Sequence, residues 1–94
     1  MIENLKEVFD KFTNDFHKFD MIKNPLSKRP DLCALMLLDK LVPGSNDIFA
    51  GADHDVVYFD IDQDELAEAA TEDDVLYLVR CGVILDPDGF MMFV

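Results

Sequence analysis

The sequence predicts an α+β domain over residues 1–94, in the order α-α-β-β-α-α-β-β: two N-terminal helices, then a small, mostly antiparallel sheet with helices on one face. Three observations carry this. Apolar residues step by three or four as far as Val42 and alternate after Asp47. Two capping-type helix starts, at Asp62 and Thr71, interrupt the second half. Asp86-Pro87-Asp88-Gly89 between two apolar runs marks a closing hairpin.

The first helix is expected from about Glu3 to Asp20, because Leu5, Val8, Phe9, Phe12, Phe16 and Phe19 lie along one helical face. That stripe is assigned to the chain's own core; His17 falls on its polar margin and receives no role. Asn24-Pro25 and Leu26 to Arg29 break the helix. Pro30 suits the first position of a second one, with Asp31 favourable to its positive end. Leu32 to Val42 is apolar nearly all round, which predicts a central helix, ended by Pro43-Gly44-Ser45-Asn46.

Ile48-Phe49-Ala50 reads as a short strand, Gly51 to His54 as a turn and Asp55 to Ile61 as a longer strand. On the latter, Val57, Phe59 and Ile61 share the expected core face, while Val56, Tyr58 and Asp60 share the other. Asp62, with Glu65 three residues on, caps a short helix through Ala70; Thr71 opens another that runs to Cys81, with Val75, Leu78 and Val79 inward and Gly82 as its C-cap. Val83-Ile84-Leu85 and Phe90 to Val94 form the last two strands. The final one is apolar at all five positions, so it is either central with both faces shielded or part of a subunit interface.

Composition narrows the function. The chain has twenty Asp and Glu against eight Lys and Arg, a net charge of −12, yet half its residues are apolar, so it is no disordered acidic tail. Residues 1–40 hold seven acidic and seven basic groups; residues 41–94 hold thirteen acidic groups against Arg80 alone, so the whole net charge resides there. Without a basic footprint, direct binding to nucleic acid or an anionic membrane is excluded. The length excludes a two-domain enzyme or a large barrel. Met1-Ile2-Glu3-Asn4 lacks the marks of a signal peptide, and Cys33 and Cys81 lack metal or redox spacing; free thiols in a reducing cytoplasm are expected.

Candidate chemistry is sparse. Asp60, Asp62 and Asp64 imitate the opening of a calcium loop, but Glu65 stands where the sharp turn needs glycine and Thr71 where the bidentate Glu belongs. Asp53-His54-Asp55 is better read as a solvated turn than as a base or metal site. Ser27 and Ser45 lie in turn-like segments outside any nucleophile elbow, Cys81 sits at the thiol-unfavourable end of a helix, and no glycine-rich phosphate loop occurs. No catalytic residue and no cofactor are expected.

The leading expectation is a non-enzymatic interaction or regulatory protein, homodimeric through the sheet near Tyr58, Met91 and Phe93. The alternative is an acidic nucleic-acid mimic, using Asp47, Asp53, Asp55 and Asp60 against a basic nucleic-acid-binding protein. A calcium or metal-dependent activity at Asp60, Asp62 and Asp64 is the lesser one.

Overall fold

The computed structural model describes residues 1–93; Val94, the fifth residue of the expected last strand, lies outside the described residues. Helix α1 spans Leu5–Lys11, α2 Pro30–Leu41, α3 Gln63–Ala69 and α4 Glu72–Cys81; strands β1 to β4 span Phe49–Asp53, Val56–Phe59, Val83–Asp86 and Gly89–Phe93. The α+β class and the element order are those expected from the sequence.

The first helix is shorter than the apolar stripe suggests. Asn4 caps it, its Oδ1 accepting from the Glu7 N–H at 3.1 Å, but it ends at Lys11. Thr13 Oγ1 donates to the Asp10 carbonyl at 2.6 Å, a side-chain bond that offers the backbone an alternative to continuing the helix. Two single 3-10 turns follow, Thr13–Asp15 and Phe19–Met21. Between them His17 adopts a left-handed backbone (φ 60°), its N–H donating to the Val79 carbonyl at the end of α4. Arg80 donates to Asp15 Oδ1 at 3.1 Å from the same end of α4. Tertiary bonds to α4 thus replace the helical path of residues 12–20. Phe9 is still buried, whereas Phe16 is exposed.

Helix α2 opens on Pro30 and buries Cys33, Ala34, Leu37 and Leu38. It is less central than its composition implies, because Leu32 and Met36 face solvent. Asp62 caps α3 through Oδ1, accepting from the Asp64 and Glu65 N–H groups. Thr71 and Asp74 form a reciprocal capping box on α4, and Gly82 ends that helix at φ 104°.

The sheet is antiparallel throughout, in the order β1-β2-β4-β3. Strand β1 reaches further than expected, to Asp53, and the turn to β2 contracts to His54 and Asp55, with His54 left-handed (φ 43°). The register pairs Val57 with Met92 and Phe59 with Phe90, and pairs Val83 and Leu85 with the same two residues from the other side. These six side chains make the core face. The Phe9 ring of α1 lies 5.9 Å from Phe90, and Asp31 and Leu35 of α2 border Val57, Phe59 and Met92. The helices α1, α2 and α4 therefore cover this face. Each apolar side chain fully buried there contributes about 1.5–3 kcal/mol. Among the described residues no helix is long and apolar enough to cross a membrane.

Candidate interaction surface

Alternation along the strands sends the remaining side chains to the outer face of the sheet. There the register sets Met91 between Tyr58 on β2 and Ile84 on β3, and Phe93 beside Val56. Tyr58, Met91 and Phe93, the three residues expected at an interface, therefore lie together. Val56 and Ile84 complete the group. Val56, Tyr58, Ile84 and Met91 are half-buried, yet none belongs to the core or packs against it; Phe93 is 51% exposed. Beside Ile84, a groove of about 240 Å³ opens between β3 and α1, bordered by Phe9, Phe16 and Leu85 and by the ion-paired Lys6 and Asp10.

Ile84 was missed as an interface residue in the sequence, although a signal for it exists. If Asp86 and Gly89 pair across a two-residue turn, counting back two places on each strand sets Ile84 opposite Met91.

Carboxylates stand at both ends of this face. The β1–β2 turn places Asp53 and Asp55 beside Val56, and the β3–β4 turn places Asp86 and Asp88 at the opposite end of the strands. His54 Nε2 lies 3.8 Å from Asp53 Oδ1, both groups largely exposed. Asp86 Oδ1 accepts from the Asp88 N–H at 2.9 Å, which fixes the turn. No Lys or Arg occurs in any strand or in either turn.

The four candidate carboxylates of the acidic hairpin are not one group. Asp53 and Asp55 are at its tip. Asp47 and Asp60 are at its base, where the Asp60 N–H donates to the Ile48 carbonyl, and they join Asp39, Asp62 and Glu65 around a concavity of about 210 Å³. Of the calcium-loop candidates, Asp62 is engaged as the α3 cap; among the described residues no three His, Cys, Asp or Glu side chains are gathered in a way that could hold a metal ion.

Both thiols are fully buried and free. Cys33 Sγ donates to the Ser27 carbonyl at 3.1 Å and accepts from its N–H, while Tyr77 Oη accepts from the Leu26 N–H at 3.0 Å, so the loop before α2 is fastened to α4. Burial pushes the Cys81 thiol up to about 12, with Cys33 adding to it. Burial and a hydrogen bond with Cys33 raise Tyr77 to about 12. These groups are held protonated and serve packing.

Leu32 and Met36 on α2 are also exposed, with Asp31, Asp39 and Lys40 on the same helix. Met1, Met21, Leu26 and Phe49 are exposed as well, away from the outer face of the sheet. Comparison with known proteins finds no matching family model, no matching curated protein and no matching solved structure.

Proposed function

We propose that this chain is a non-enzymatic interaction protein that docks a protein partner on the outer face of its sheet. The observation that carries the reading is the gathering of Val56, Tyr58, Ile84, Met91 and Phe93 on three adjacent strands, none of them packed on the core. Single exposed apolar residues are ordinary, whereas apolar patches of more than a few hundred Å² mark contact surfaces, a scale this cluster approaches only together with its surroundings. Tyr, Phe and Met are also residue types enriched at interface centres.

Strands about 4.8 Å apart and a rise of about 3.3 Å per residue give this apolar patch an area of about 200 Å². Its complete burial contributes about 5 kcal/mol, near the lower bound of what association costs. The patch therefore serves as the centre of a wider contact. A second copy, forming the homodimer suggested by the apolar last strand, and a different protein are the two occupants to separate.

The test compares proteins retained from native extract by the chain, by Met91→Glu, and by Lys40→Glu on the helical layer. Retention is expected to fall at least tenfold for Met91→Glu alone, with circular dichroism and Tm almost unchanged. Equal retention by all three would remove the outer face from the function.

A further inference from the structure

We infer that the outer face is shaped for a protein surface whose apolar centre is flanked on both sides by Lys or Arg, rather than for a second copy of this chain. The inference rests on the docking reading above and adds the chemistry of the partner.

Size comes first. The apolar patch covers about 200 Å², whereas a stable interface buries about 800 Å² on each side, so most of any contact must involve what surrounds the patch. Along the strands those surroundings are carboxylates: Asp53 and Asp55 at one end, Asp86 and Asp88 at the other, about 13 Å away along the strands and about 14 Å across them. Among the described residues Asp55, Asp86 and Asp88 make no ion pair, and Asp53 has only His54 at 3.8 Å. The strands and their turns hold no Lys or Arg, and Lys6, across the groove from Ile84, is paired with Asp10 at 2.7 Å.

Charge then weighs against self-association. The acidic turns lie toward opposite edges of the sheet, Asp53 and Asp55 on the β1 side and Asp86 and Asp88 on the β3 side, and a second copy brings to the contact only more of the same carboxylates and no Lys or Arg from its strands or turns. A partner carrying Lys or Arg on each side of an apolar centre meets opposite charge at both ends. Such rim charges act chiefly on encounter rate and partner choice, and salt screens them over about 8 Å at physiological ionic strength. Nucleic acid, with its own negative charge, is excluded by the same field. The Lys- and Arg-bearing surfaces of nucleic-acid-binding proteins have the required chemistry.

The experiment uses the full chain and three labelled cyclic β-hairpin peptides: one with an apolar centre and Lys at both ends, one with the same centre and Glu at both ends, and one with Lys ends and a Ser centre. Binding is followed by fluorescence anisotropy at 50 and 300 mM NaCl, and self-association by sedimentation equilibrium under the same conditions. The Lys-ended apolar peptide is expected to bind best, to weaken about tenfold across that salt range, and to lose binding to Met91→Glu. Asp53→Asn combined with Asp88→Asn is expected to flatten the salt dependence while the apolar contact persists.

Equal or stronger binding of the Glu-ended peptide overturns the basic partner and leaves the docking reading intact. So does a dimer that tightens with salt and is lost in Met91→Glu, which assigns the face to a second copy. No binding of the Lys-ended peptide also overturns the inference. Binding that Met91→Glu does not alter overturns both the inference and the docking reading.

Discussion

Tyr77 and Cys81, one turn apart on α4, show how burial couples this core to pH. Both are raised to about 12, from ordinary values of 10.0 and 9.0, chiefly because desolvation disfavours their charged forms. The unfolded chain therefore releases these protons at lower pH than the folded one. The corresponding stability is full below about pH 9 and is lost progressively as pH rises toward 12. The urea midpoint is accordingly expected to hold level from pH 6 to 8 and to fall between pH 9 and 11, less steeply in Cys81→Ala. A level midpoint through pH 11 would contradict the buried, protonated cluster. At this scale, legibility followed distance along the chain. Asp62, Thr71 with Asp74, and Gly82 could be recognised as caps because each partner lies within a few residues. The bonds of Cys33 and Tyr77 to residues 26 and 27 depend on how α2 meets α4, which no local pattern encodes.

Among the elements, α1 departs most from its sequence pattern. A stripe of phenylalanines continues to Phe19, but the helix stops at Lys11 because Asp15 and the His17 N–H find partners on α4. Gly82 is part of the same junction, since a Cβ there would lie 3.0 Å from the His17 ring. Arg80→Ala is therefore expected to loosen residues 12–20 more than the helices. Their amide exchange is expected to quicken about tenfold, for a stability loss of about 1–2 kcal/mol, the scale of a charged hydrogen bond. Unchanged exchange at His17 would show that Arg80 does not hold this segment. The β3–β4 hairpin lies at the other extreme, its register following from Asp86-Pro87-Asp88-Gly89 alone. The pairing of β2 with β4, which brings Tyr58 beside Met91, joins strands separated by two helices and β3, and was visible only as an apolar surplus on both.

For the molecule as a whole, the strand order β1-β2-β4-β3 turns that surplus into a surface. It sets β4 between two neighbours, so Phe90 and Met92 enter the core while Met91 and Phe93 stay outside with Tyr58. The concentration of charge in residues 41–94 could be read directly from the sequence. The placement of four of those carboxylates, Asp53, Asp55, Asp86 and Asp88, at the two ends of one face could not, because that requires the two hairpins to lie side by side. We propose that this face receives a protein partner with an apolar centre and basic flanks. Amide chemical shifts of the full chain, mapped during titration with the Lys-ended apolar hairpin peptide, test it most directly. The largest changes are expected at Val56, Tyr58, Ile84 and Met91, with smaller ones at Asp53 and Asp86. Changes confined to the acidic starts of α3 and α4, or to Leu32 and Met36, would contradict it.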